Sequence, residues 1–291
     1  MILADRAVKR PISKESFVEQ RISRKKFLSG AARYMAAAVA GTAVFHVLGE
    51  KTPAAATDTP PWPWPYTKLD PEEARKLGHD AYYEMGCGFA GFAGIVKALQ
   101  DKAGAPFTSL PPQMMSYGSG GLKGWGTVCG ALNGASAAIS LVTDSKTAGL
   151  LIDELMNWYT QSLMPSDISN RYAEEHNFKV DRKIKTLPQN KSDSPLCHAS
   201  VTKWCLASGY AVDSPERQER CARLSGDVVV QAVKLLNDQT AGAFHAEHAN
   251  AKSVSDCLSC HGGGRAQKNV SAKMDCLQCH HVSAKCPGLA K

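Results

Sequence analysis

Near the C-terminus the chain reads CLSCH at 257–261 and CLQCH at 276–280, two copies of C-x-x-C-H in close succession. Two chemistries suit these residues. Cys257, Cys260, Cys276 and Cys279 form C-x2-C-x15-C-x2-C, inside the spacing window of a four-cysteine zinc site. Alternatively, each cysteine pair makes two thioether links to a haem, and the histidine that follows binds its iron. The haem reading uses His261 and His280, which an all-cysteine zinc site leaves idle. It assigns two haem c per chain, with Cys257, Cys260, Cys276 and Cys279 for attachment and His261 and His280 as proximal ligands.

Each iron then needs a distal ligand. His245 and His248 lie just upstream at i, i+3 spacing, so on a helix they would share one face. His281 is tied to His280 by one peptide bond and can serve only a neighbouring haem, including one in a second subunit. These three are the candidate distal ligands, while His79, His176 and His198 are expected to be structural or surface residues. Bis-His ligation leaves no open coordination position and favours a low potential, which suits electron transfer rather than chemistry at the iron.

The N-terminus points to a compartment that fits haem c. Ser23-Arg24-Lys25-Lys26-Phe27-Leu28 resembles a twin-arginine export signal with Lys25 at the second arginine position. An apolar stretch interrupted by Arg33 and His46 follows, and then Pro53-Ala54-Ala55-Ala56, small residues suited to signal peptidase. The leader is expected to span residues 1–56, so that the mature chain begins near Thr57, keeps no stable membrane span and resides in the periplasm. In that oxidising compartment cysteines pair as disulfides unless a metal or haem takes them. Residues 1–56 hold ten Lys/Arg and four Asp/Glu, so the formal +7 of the chain falls to +1 afterwards. The basic charge thus belongs to the leader and gives no support to nucleic-acid binding.

Helices must position these residues. TDTPPWPWPY at 57–66 is a proline-rich lead-in that cannot be helical, and its tryptophans are expected to dock on the body or on a partner subunit. Asp70-Pro71-Glu72-Glu73 combines a capping residue, a first-turn proline and first-turn acids, opening a helix that runs to about Met85. Ser194-Pro195 and Ser214-Pro215-Glu216 repeat that device ahead of two further helices. Apolar residues recur at helical spacing between them. The expected fold is all-α: a bundle-like domain of five to seven helices over 69–238, after the 57–68 lead-in. A small loop-rich dihaem segment over 239–291 follows, too poor in apolar residues to close a core unaided. Its porphyrin faces need cover from the body or from another subunit, which favours a homodimer.

Five more cysteines, Cys87, Cys129, Cys197, Cys205 and Cys221, fall in the helical domain, and Cys286 lies in the tail. Four cysteines on separate helices are compatible with a metal centre, with two disulfides or with buried thiols. GCGFAGFAGIVKAL, YGSGGLKGWGTVCGALNGA and WCLASGYAVDSPERQERC together resemble the redox-associated C-GCAxxG-C-C family, with Cys87, Cys129, Cys205 and Cys221 on its four positions and Val128 where the pattern has Gly. That domain joined to two C-x-x-C-H motifs behind an export signal is similar to the split-Soret cytochrome c family. The resemblance implies a homodimeric dihaem cytochrome with bis-histidine haems, and a non-haem iron or iron-sulfur centre on the body cysteines. Cys197, eight residues before Cys205, is an extra candidate ligand two helical turns away. The expected function is electron transfer between redox partner proteins. A periplasmic haem/thiol oxidoreductase using the helical-domain cysteines is the alternative, and a zinc protein the third reading.

Overall fold

The computed structural model describes residues 60–281. The leader, its cleavage near Thr57, the first three residues of the lead-in and Cys286 fall outside the described residues. Within them the fold is all-α, as expected. The helices are α1 (Pro71–Met85), α2 (Cys87–Ala103), α3 (Gly130–Val142), α4 (Ser145–Gln161), α5 (Asp167–Glu174), α6 (Cys197–Ser208), α7 (Pro215–Thr240) and α8 (Lys252–His261). Only two isolated β-bridges occur among the described residues.

Side-chain caps start four of these helices. The Asp70 carboxylate accepts from the amides of Glu72 (2.8 Å) and Glu73 (3.1 Å), and Asp144, Ser166 and Ser214 do the same for α4, α5 and α7. Each such cap satisfies amides that have no partner within the helix. The helix expected directly behind Ser194-Pro195 starts later, at Cys197. An antiparallel bridge between Val128 and Leu196 and a 2.8 Å bond from the Cys129 amide to the Pro195 carbonyl hold that stretch extended.

α2 is the centre of the bundle, packed against α1, α3 and α7. Its inner face and those of α3 and α4 bury Ile95, Leu99, Leu132, Ile139, Leu151 and Leu155 completely, each contributing about 1.5–3 kcal/mol at most. α2 and α3 approach so closely that a Cβ on Gly91 would lie 2.2 Å from the Ala131 carbonyl oxygen. The lead-in docks on the body, as expected of its tryptophans. Trp64 donates its amide to the Leu141 carbonyl (3.0 Å) and sets its ring edge-on to Phe107, while the Trp62 indole donates to the Ser140 carbonyl (2.7 Å).

The long helix α7 is apolar in its C-terminal half but carries buried charges in its N-terminal half. Asp227 accepts from Arg75, from the Ser166 amide (2.8 Å) and from the Ser169 hydroxyl (2.7 Å). Arg223 pairs with Glu219 (2.7 Å) and reaches the Asn170 side chain and the carbonyls of Ile184 and Lys185. His79 is fully buried, stacked 3.6 Å from Phe178, with its ring nitrogens 3.0 Å from Asp80 and 3.2 Å from Glu219. Burial works against its imidazolium, but the bonds to Asp80 and Glu219 prevail and hold its pKa above the ordinary value. A pKa raised on folding gives stability that is complete below the unfolded value, near 6.5, and is lost as pH rises through the folded value. The thermal midpoint of the protein is therefore expected to fall as pH climbs from 6 toward 9. His79→Gln should remove that component of the slope, which parallel melts of the two proteins across this range would read.

Candidate functional site

Two groups of residues stand out: the thiols of the body and the two C-x-x-C-H motifs of the tail. The body thiols are gathered by helix starts. Gly86, at φ 82°, separates α1 from α2 by a single residue, and so makes Cys87 the first residue of α2. Cys129 is the N-cap residue of α3 and Cys197 the first residue of α6. The Val128–Leu196 bridge sets these last two side by side, with the Cys197 amide donating to the Thr127 carbonyl at 2.7 Å. Cys221 approaches the same place from the second turn of α7. None of these three helix starts has a side-chain cap, so the positive ends of three helix dipoles converge on the thiols.

Gly130 makes the gathering possible. A Cβ there would lie 2.1 Å from the Gly118 carbonyl oxygen and 2.5 Å from Cys87 Sγ. Cys87 and Cys129 are buried, Cys197, Cys205 and Cys221 are half-buried, and all five are thiols rather than disulfides. Burial, reinforced by Cys129 and Cys221, pushes the Cys87 thiol up to about 12. Burial also raises Cys129, against the pull of the Tyr159 hydroxyl and the Ala131 amide, and it raises Cys197 in the field of Cys129, Cys221 and Cys87. Cys205 stands apart: of the body cysteines only Cys221 acts on it, alongside Arg217 and Arg220. Cys197 thus shares the electrostatic surroundings of Cys87, Cys129 and Cys221, of which Cys205 shares only Cys221. Among the described residues no three His, Cys, Asp or Glu side chains stand within reach of one ion.

α7 brings cations to the thiols. Arg220 Nη1 lies 3.9 Å from Cys221 Sγ, and its Nη2 donates to Ser200 Oγ at 2.9 Å. The same Ser200 hydroxyl accepts from Tyr159 (2.9 Å). Sequence reasoning singled out neither Arg220 nor Tyr159; the sole signal was adjacency of Arg220 to Cys221.

In the tail, α8 ends on the first motif, with Cys257, Cys260 and His261 in its last turns. The loop after it folds back: the amides of Asn269 (3.1 Å) and Val270 (3.0 Å) donate to the His261 carbonyl, and His261 Nδ1 lies 2.9 Å from Asn269 Oδ1. With Nδ1 donating to that amide oxygen, Nε2 keeps its lone pair for a metal. The second motif begins in the 3-10 turn Cys276–Gln278, and the His280 amide donates to the Cys276 carbonyl at 2.9 Å. Asp275 caps that turn and accepts from Ser253 at the start of α8 (3.2 Å), tying the motifs together. The tail is held to the body by Lys273 pairing with Asp153, and by Lys203 donating to Gln278 (2.9 Å).

Residues 241–250 are not helical, so His245 and His248 do not share a helix face. α7 stops at Thr240 because the Ala243 amide turns back to the Asp238 carbonyl through Gly242 at φ 70°. Glu154 then accepts the amides of Glu247 and His248. His248 is half-buried, and its Nδ1 is buried without a hydrogen-bond partner among the described residues, whereas His245, His280 and His281 are exposed. His198 is also exposed, packed by its Cβ against Gly126.

A helical, thiol-rich body with two C-x-x-C-H motifs defines a redox protein of the c-type cytochromes. The family model described as "Putative redox-active protein (C_GCAxxG_C_C)" matches residues 92–235, beginning beyond Cys87 and including Cys129, Cys197, Cys205 and Cys221. The chain is 36% identical over 230 residues to the split-Soret cytochrome c of Desulfovibrio desulfuricans (strain ATCC 27774 / DSM 6949 / MB), covering 71% of this chain and 80% of that protein. A solved structure, described as "A novel iron centre in the split-Soret cytochrome c from Desulfovibrio desulfuricans ATCC 27774", matches with a TM-score of 0.67 at 35% identity. That match covers 76% of this chain and 91% of the other. The chain belongs to the split-Soret cytochrome c family.

The close approach at Gly130 is directly testable. Gly130→Ala is expected to lower stability by about 1–3 kcal/mol through overpacking. Gly149→Ala, on α4 with open space where its Cβ would lie, should be neutral or stabilising by up to about 1 kcal/mol. Urea unfolding of both variants reads the difference.

Proposed function

We propose that this cytochrome is an exported electron carrier of the periplasm, with two haem c bound in segment 239–291 and a non-haem iron or iron-sulfur centre in the helical domain 69–238. When bound, haem and iron-thiolate groups supply one-electron chemistry. Cys257 with Cys260, and Cys276 with Cys279, attach the haems; His261 and His280 are their proximal ligands. The observation that supports the reading most directly is the His261–Asn269 hydrogen bond, which holds the imidazole with Nε2 free for iron. His248 is the favoured distal ligand, because its buried Nδ1 lacks a hydrogen-bond partner among the described residues. His245 and His281, both exposed, are the remaining candidates, since an exposed imidazole can serve a haem of a second copy.

Cys87, Cys129, Cys197 and Cys221 are the favoured ligands of the body centre, with Cys205 outside it. The relative's printed description of a novel iron centre supports iron here, and the thiolate set fits it chemically. The upward shifts of Cys87, Cys129 and Cys197 oppose a nucleophilic thiol, whose pKa must be lowered, so the oxidoreductase alternative gains no support. A homodimer is favoured because the tail buries little of its own, with Val254 its one fully buried side chain among the described residues. Redox proteins are then the expected further partners. No helix among the described residues is long and apolar enough to cross a membrane.

Expression with the cytochrome c maturation machinery tests the haems. Two covalent haems per chain are expected, falling to one in Cys257→Ala/Cys260→Ala and likewise in Cys276→Ala/Cys279→Ala. Carbon monoxide should leave the spectrum of the reduced protein unchanged. A protein with no covalent haem, or one that binds carbon monoxide at both irons, would refute the reading. For the body centre, Cys197→Ser should abolish iron in excess of the haems and Cys205→Ser should retain it. Elemental analysis against haem content reads both, and the reverse pattern would return Cys205 to the ligand set.

A further inference from the structure

Arg220 departs from the rule that the other buried charges of this protein obey. Arg75, Arg223, His79, Glu219 and Asp227 all have partners of opposite charge within hydrogen-bond reach. Arg220 is as buried as they are, 1% exposed, yet among the described residues no carboxylate pairs with it. Its Nε has no hydrogen-bond partner, and its other two nitrogens face Ser200 Oγ and Cys221 Sγ. A guanidinium stays charged under any ordinary condition, and an uncompensated buried charge is among the most costly groups a fold can hold. Arg217, one turn earlier on α7, is a second cation without a carboxylate partner among the described residues; it faces Cys221 and Tyr82.

We propose that Arg220 is the built-in counter-cation of an anionic thiolate-bound iron centre among Cys87, Cys129, Cys197 and Cys221, and so sets how readily that centre is reduced. The inference rests on the iron reading given above. Arg220 is a positioning residue, not a ligand. Four thiolates around iron leave net negative charge that grows by one on reduction, and a fixed cation beside Cys221 stabilises the reduced form more than the oxidised form. Through Ser200 the same guanidinium is linked to Tyr159, whose hydroxyl bears on Cys129. One buried cation therefore meets the α7 thiol directly and is linked to the α3 thiol through two hydroxyls.

The test uses the full haem-loaded protein as wild type, Arg220→Met and Arg220→Lys. Non-haem iron per chain is measured, and the midpoint potential of the centre is followed by electron paramagnetic resonance. Arg220→Met is expected to lower the reduced-to-oxidised ratio about tenfold at fixed potential, a downward shift of about 59 mV for one electron. Arg220→Lys, which keeps the charge, should recover most of it. Loss of the iron from Arg220→Met with retention in Arg220→Lys supports the same role, whereas loss from both overturns it. An unmoved potential in an iron-loaded Arg220→Met protein overturns the inference and leaves the iron centre standing. Wild type without non-haem iron removes the centre and the inference together. The same Met substitution in a Cys129→Ser background, which disables the centre, separates charge from folding. There the unfolding midpoint should stay level or rise, because an unpaired buried cation has been removed; a clear fall would assign Arg220 a purely structural part and overturn the proposal.

Discussion

Burial of the charged N-terminal half of α7 is the constraint on which the rest of the structure depends. Glu219, Arg220, Arg223 and Asp227 enter the interior within nine residues of one helix, and charge without compensation in a protein interior is destabilising. The surrounding elements are arranged as the answer. α1 supplies Arg75 and His79, the start of α5 supplies Ser166 and Ser169, and the stretch after α5 supplies carbonyls for Arg223. These contacts fix α7 about its own axis, and with it the direction in which Cys221 points. The apolar second half of α7 then seals the contact with α2 and α3.

The thiol pocket follows from that arrangement together with the glycines of α2 and α3. α2 and α3 approach at the backbone near their starts, where Gly91 meets Ala131 and Gly130 meets Cys87, and this brings Cys87 and Cys129 to the same end. The bridge between Val128 and Leu196 adds Cys197 at the start of a third helix. Three helix starts without side-chain caps and two arginines bring positive charge to the pocket, while burial raises the thiols of Cys87, Cys129 and Cys197. A metal ion binds the thiolate and releases the proton, which is why a pocket that disfavours free thiolates remains compatible with iron-thiolate bonding.

The tail is organised differently. It has little apolar side-chain surface to bury, and the body holds it by polar contacts from α4 and α6: Asp153 with Lys273, Glu154 with the amides around His248, and Lys203 with Gln278. Exposed ion pairs of this kind are individually weak. A segment held in this manner depends on further buried area, which porphyrin rings and a second subunit are suited to supply.

Much of this was legible in the residues alone. The C-x-x-C-H motifs carry their chemistry in local spacing, helix starts such as Asp70-Pro71 and Ser214-Pro215 are written in a few neighbouring residues, and the all-α class follows from periodicity. Features that depend on residues far apart were not legible. The family pattern favours Cys205 and leaves Cys197 an extra candidate, and nothing in it foretells the Val128–Leu196 bridge that sets the start of α6 beside Cys129. His245 and His248 have helical spacing, yet the turn at Gly242 and the carboxylate of Glu154 hold them in irregular chain. Arg220 is an ordinary surface-type residue until α7 is buried and every nearby carboxylate is found committed elsewhere. Local sequence determined which chemistry was available; tertiary structure decided which groups share one environment, because burial and charge compensation are properties of the surroundings of a residue and not of its neighbours along the chain.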